Sequence, residues 1–193
     1  MVNDISGVIL AGGDNKRFNG ITKSNLVVEG EIIISRMLEV ISSIFDEIII
    51  VTNTPEEFTL YTRYAIVSDL FKNTGPLAGI HAAIKASNKK AVFVFAGDMP
   101  YLDRDLIMNQ IDLYRKSGSR ILVPKIANFI EPLHAIYNNS VLNEIESFLT
   151  ENSNRAVWRF LIMAGADYTQ MDETTRSKKA FLNINSPSDI DKL

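Results

Sequence analysis

The chain has 193 residues, which on a prior of about 150 residues per domain fits one compact unit. Lys and Arg number 20 against 23 Asp and Glu, a formal net charge of −3, and 46% hydrophobic with 22% charged residues is an ordinary globular balance. These figures exclude a disordered, collagen-like or coiled-coil chain and an overall basic nucleic-acid binder, while the lack of cysteine excludes disulfides, zinc ribbons and thiol nucleophiles.

Taken in chain order, Met1-Val2-Asn3-Asp4 lacks the basic start of a secretory signal, and no apolar run approaches the ~18 residues of a membrane span. A cytoplasmic protein without a membrane partner is expected. Residues 7–10 read as a short buried strand stopped by Ala11-Gly12-Gly13. Over 32–45, Ile33, Met37, Val40, Ile41 and Ile44 recur at helical spacing. Strands are predicted at 48–51 and 65–67, and a helix over 76–87 with Pro76 near its start, where a missing N–H matters least. The run 91–96 is the next strand, cut by Gly97-Asp98-Met99-Pro100 and followed by a helix over 103–115. Further strands are expected at 120–123 and 133–137, helices at 141–149 and 155–163, and an extended piece over 180–185 before a last turn at Ser186-Pro187. His81 and His134 read as structural, and Trp158 with Phe160 and Leu161 as core packing. Strand alternating with helix predicts a single three-layer α/β/α domain with a Rossmann-like, mostly parallel sheet over 1–193.

In such a sheet ligands gather at the carboxyl ends of the strands. After the first strand, Gly12 and Gly13 allow close backbone approach to an anion, and Arg17 and Lys23 add positive charge; the pattern suits a triphosphate or a plain flexible turn. It is neither of two common nucleotide loops. A G-x-G-x-x-G would need glycine in place of Asp14, and a Walker A loop ending at Lys23-Ser24 would need glycine at Arg17 and Thr22. Asp98 beyond the 91–96 strand can hold Mg²⁺ with substrate phosphates or cap the next helix; Pro100 makes the cap less tidy and favours the metal. Asp69 occupies an equivalent strand end and can aid the metal, meet a ribose or form a turn. Asn53 can read a base edge, and Gly75-Pro76-Leu77-Ala78-Gly79 offers a backbone platform, each with ordinary turn chemistry as the alternative.

Together these loops resemble the nucleotidyltransferase superfamily, and within it the molybdenum cofactor guanylyltransferases. The resemblance rests on Leu10-Ala11-Gly12-Gly13 with Arg17 and Lys23, on residues 75–79 and on 97–100. Glu131-Pro132-Leu133-His134-Ala135-Ile136-Tyr137, Asn154-Arg155-Ala156-Val157 and Asn183-Ile184-Asn185-Ser186-Pro187 extend it over nearly the whole chain. It implies a nucleotide-diphospho-sugar transferase type of fold and transfer of GMP from GTP to molybdopterin, with Mg²⁺ as cofactor and pyrophosphate released. It further implies that Leu10, Ala11, Gly12, Gly13 and Gly79 line the nucleotide, with Asn53 or Val51 at the base and Asn53 preferred. By the same resemblance Lys23 binds phosphates, Asp69 contacts the nucleotide, Asp98 binds nucleotide and metal, and Asn183 and Asn185 face molybdopterin. Arg17, Lys23 and Asp98 form the implied catalytic set, and proteins of molybdenum-cofactor synthesis or its target enzymes are the implied partners. Two positions depart from the family: Asn19 stands where glycine is common and Thr22 where an acid is, so a less regular loop is expected. Cytidylyl transfer, nucleotidyl transfer to a sugar phosphate, and a non-catalytic nucleotide-binding regulator are the competing readings.

Overall fold

Three runs, Ile5–Leu10, Ile48–Val51 and Ala91–Ala96, apolar but for Ser6, are buried at every position and make the centre of a sheet. Sheets buried on both faces have runs of this kind, because a polar side chain is admitted there only when hydrogen-bonded, as Ser6 is to Glu47 and Ser87. The computed structural model describes residues 1–12, 22–72, 74–186 and 189. In chain order its strands and helices are β1 (Ile5–Leu10), β2 (Val27–Val28), β3 (Glu31–Ile32), α1 (Ile33–Ser42), β4 (Ile48–Val51), β5 (Ala65–Val67), α2 (Pro76–Ala86) and β6 (Ala91–Ala96). There follow α3 (Arg104–Ser117), β7 (Ile121–Ile126), β8 (Phe129–Ile130), β9 (His134–Asn138), α4 (Leu142–Glu151), α5 (Val157–Ala164), β10 (Asp167–Met171) and α6 (Thr175–Ala180).

The eight-stranded sheet runs β10-β7-β9-β6-β1-β4-β5, with β8 pairing the far end of β7. β1 is parallel to both β4 and β6, β4 to β5, and β7 to β10. β9 runs antiparallel between β6 and β7, so the sheet is mixed but mostly parallel, as expected. The faces follow the period of two along a strand. Ile5 and Ile9 of β1 enter one core with Ile33, Met37 and Ile41 of α1 and Ile107 and Ile111 of α3. Val8 and Leu10 enter the other with Leu77 and Ile80 of α2, Ile145 of α4 and Phe160 of α5. Helices therefore cover both faces.

Several expectations need correction. The extended piece expected over 180–185 begins later, since Ala180 closes α6; its residues join no strand of the sheet, and Ile184 gives its N–H to the carbonyl of Asp98 at 2.9 Å. The last turn expected at Ser186-Pro187 lies partly outside the described residues. Trp158 is not core; it is 52% exposed, because α5 turns Phe160, Leu161 and Ala164 inward and leaves Trp158 and Ile162 outside. The first helix starts at Ile33, since Ile32 belongs to the hairpin of β2 and β3, and it ends at Ser42. The edge strand β10 adds to the expected strands.

Candidate active site

The strands that carry the expected residues end at one level. Leu10 is in register with Val51 on one side and Ala96 on the other, and Val51 with Val67. Backbone bonds prolong this alignment one residue into the loops: Ala11 N–H to Val51 O at 2.8 Å, Thr52 N–H to Val67 O at 2.9 Å, and Gly97 N–H to Leu10 O at 3.0 Å. Gly12, Asn53, Asp69 and Asp98 thus leave the same edge of the sheet. Gly97 is required by the closeness of the loops, since a Cβ there would lie 2.7 Å from the Leu10 carbonyl oxygen. Gly75, at φ +79°, takes a conformation that other residues adopt only with strain, and it hands over to Pro76 at the start of α2.

Two clusters form on either side of β1. On the β6 side, the ammonium of Lys23 lies 2.8 Å from Asp98 Oδ2 and 3.1 Å from Asn185 Oδ1. Lys23 arrives there at the head of the short 3-10 turn Lys23–Asn25, and Asn185 arrives because the Ile184 amide is bonded to the backbone of Asp98. Asn183 Nδ2 reaches Glu131 Oε2 at 3.3 Å. Burial pushes the Glu131 carboxyl up, bonds from the Leu133 amide and Asn183 pull against this, and the charge of Asp98 adds to the rise. On the β4 side, Asn53 Nδ2 donates to Asp69 Oδ2 at 2.9 Å. Burial raises the Asp69 carboxyl above its ordinary range, with the Asn53 bond opposing. Gly79 faces the same place: a Cβ there would lie 3.0 Å from Leu10 Cδ2 and 3.6 Å from Asp69 Oδ1.

Lys23, Asp98 and Asn185 therefore meet on one side, with Asn183 joined to Glu131, which feels the charge of Asp98, and Leu10, Asn53, Asp69 and Gly79 lie on the other, with Ala11 and Gly12 between. Gly13, Arg17 and Asn19 lie outside the described residues. Asp98 caps no helix; the cap of α3 is Asp103, whose side chain accepts from the Asp105 and Leu106 amides. Thr22 is not loosely held, being buried and bonded to Glu57 through both its amide and its hydroxyl. Glu57 and Glu131 had no signal of their own in the sequence beyond the motif around Glu131. Their importance comes from what the fold sets beside them.

Among the described residues no group of three or more His, Cys, Asp or Glu side chains forms a cage for a metal. The donors at this edge are hard oxygens, chiefly the Asp98 carboxylate, whose side chain keeps 17% exposure. That donor set fits a cation such as Mg²⁺, which is commonly held by one or two carboxylates together with substrate phosphates. A cavity of about 320 Å³ beside Arg36, Tyr101, Asp103, Arg176 and Lys179 takes in none of the expected site residues. Arg36 and Arg176 are matched there by acids, so the strand ends remain the better place for the chemistry.

The description of one protein family, the MobA-like NTP transferase domain, matches residues 7–170. The chain belongs to that family. It is 34% identical to a probable molybdenum cofactor guanylyltransferase of Natranaerobius thermophilus, over 100% of this chain and 96% of the relative. It is 32% identical to the molybdenum cofactor guanylyltransferase of Syntrophotalea carbinolica, over 97% and 89% of the two chains. Among solved structures, molybdopterin-guanine dinucleotide biosynthesis protein A from Archaeoglobus fulgidus superposes with a TM-score of 0.82 at 27% identity, covering 97% of this chain and 95% of that one.

Proposed function

We propose that this member of the MobA-like family transfers GMP from GTP to molybdopterin, forming the guanine dinucleotide and releasing pyrophosphate. The observation that carries the reading is the meeting of Lys23, Asp98 and Asn185 within hydrogen-bond distance of one ammonium. A phosphate-binding cation, a metal-type carboxylate and an acceptor-side amide are what a transfer between two phosphorylated substrates needs at one point. The full-length likeness to guanylyltransferases supports the choice of nucleotide and acceptor.

In this reading the triphosphate lies over the end of β1, beside Ala11 and the amide of Gly12. The base lies towards Asn53, whose amide offers both donor and acceptor. Asp69 contacts the nucleotide, and its bond to Asn53 orients that amide. Asn183 and Asn185 take the acceptor, with Glu131 holding the side chain of Asn183. An oxygen of the molybdopterin phosphate forms a bond to the α-phosphorus of GTP in line with the departing pyrophosphate, and the bond to that leaving oxygen breaks. The nucleophile is already anionic, so no base has to remove a proton. Lys23, with Arg17, offsets the charge that develops on the phosphoryl oxygens. Asp98 would hold Mg²⁺, which when bound supplies charge neutralisation and orientation of the phosphates.

The test is pyrophosphate release with GTP, CTP or UTP, each with molybdopterin, with a sugar phosphate or without acceptor. Release is expected only from GTP with molybdopterin. Preference for CTP would move the reading to cytidylyl transfer, and turnover with the sugar phosphate would move it to another branch of the superfamily. Tight GTP binding without release in any arm would favour a regulator.

A further inference from the structure

Glu57 lies in the 3-10 turn Pro55–Phe58, on the loop that follows Asn53. Its carboxylate collects three hydrogen bonds from the loop that carries Lys23: Thr22 N–H at 3.2 Å, Thr22 Oγ1 at 2.9 Å and Asn25 Nδ2 at 3.1 Å. These donors stand immediately before Lys23 and two residues after it, so the backbone of the lysine is gripped from both sides. The lysine side chain is left to reach Asp98 and Asn185. The grip is itself well rooted. Thr22 is 2% exposed, Phe58 beside Glu57 is 0% exposed, and Thr54 Oγ1 lies 3.3 Å from both Thr22 Oγ1 and Thr52 Oγ1. A carboxylate accepts from all three with both oxygens: the two N–H groups share Oε2 and the Thr22 hydroxyl takes Oε1. Burial alone would raise the Glu57 carboxyl, but the bonds from Thr22, Thr54 and Asn25 outweigh it and hold it below its ordinary range.

We propose that Glu57 is a positioning residue that sets Lys23 for the nucleotide's phosphates and couples it to the loop bearing Asn53. One carboxylate then fixes the distance between base recognition and phosphate recognition. The proposal rests on the GTP-dependent reading above. A small misplacement of a charged group costs much of its effect, which is why a residue that touches no substrate can matter here.

The experiment is a double-mutant cycle on GTP binding, read by calorimetry in the presence of Mg²⁺, on the whole chain. Wild type, Glu57→Ala, Lys23→Ala and the double variant are compared, with Glu56→Ala, the exposed neighbour, as control and melting temperature recorded for each. Glu57→Ala is expected to weaken GTP binding about tenfold, while the double variant binds no more weakly than Lys23→Ala, because a residue acting through Lys23 has nothing left to act on. Glu57→Gln, which keeps the shape and part of the bonding, is expected to fall between wild type and Glu57→Ala. If Glu57→Ala does not fold, Glu57→Gln takes its place in the cycle. Unchanged affinity in the Glu57 variants, or losses that add in the double variant, would overturn the proposal while leaving the guanylyl reading intact. A wild-type chain that binds no GTP would sink both.

Discussion

Asp98 follows a strand buried at every position, yet its own side chain is accessible and faces a cation across 2.8 Å. Nothing in the packing needs a carboxylate there, and no helix is capped by it, so its chemistry has to be directed outward. Replacing Asp98 by Ala is expected to lower the rate of pyrophosphate release by about 10²–10³-fold, the usual loss for one strong electrostatic contact in a transition state. The far-UV spectrum and melting temperature are expected to stay near wild type, since the backbone bond from Ile184 goes to the Asp98 carbonyl and survives the change. Normal turnover of Asp98→Ala would remove the carboxylate from the mechanism.

At the scale of the element, α3 shows how one side chain ends a loop and starts a helix. Asp103 accepts from the Asp105 and Leu106 amides at 3.0 Å each, satisfying donors that have no partner inside the helix. Asp103→Ala is expected to cost about 1 kcal/mol of stability, measured as a shift of the urea midpoint. Arg176→Ala, which removes the ion pairs of an exposed arginine to Asp103 and Asp105, is expected to cost less. The same scale shows what the sequence made legible. Ile48–Val51 and Ala91–Ala96 announce themselves because both faces are buried, and α2 because Pro76 marks its first turn. β10 does not, since Asp167-Tyr168-Thr169-Gln170 is an edge strand with only Met171 buried, and an exposed edge imposes no apolar pattern. α6, Thr-Arg-Ser-Lys-Lys-Ala, buries only Ser177 and Ala180 and so carries no helical period. Trp158 misleads because its neighbours Phe160 and Leu161 are the ones facing inward. Lys23, Asp98 and Asn185 stand in motifs that single them out in the sequence, and the fold brings their side chains together. The clasp of Glu57 on Thr22 and Asn25 was not, because only the packing of two loops brings those side chains together.

For the molecule as a whole, His134 links stability to pH. It is wholly buried on β9 against Phe93, Phe95 and Phe181, and its Nδ1 lies 3.2 Å from Gln110 Oε1 while Gln110 Nε2 donates to the His134 carbonyl. Burial lowers its pKa from 6.5 to about 4. Below pH 6.5 the unfolded chain takes up a proton that the folded one refuses, so stability falls as pH drops from 6.5 towards 4 and levels off below that. The full loss is about 3 kcal/mol, from the size of the shift. Urea midpoints measured through this window are expected to decline more steeply in wild type than in His134→Gln, which has no group to protonate. Parallel slopes would show that other groups dominate. The sheet around this histidine also sets the relation of the two clusters, because β1 stands between β6 and β4 and both loops hang from its neighbours.

The mutual contact of Lys23 and Asp98 governs what this net-acidic chain offers to an incoming polyanion. With the ammonium already engaged, a bare anion that takes Lys23 leaves the Asp98 carboxylate beside itself. A visitor carrying both signs meets both halves at once and exchanges one contact for two. The resting pair thus ties the charge of this corner to what arrives: a polyphosphate that brings its own cation would leave neither partner of the pair unmatched.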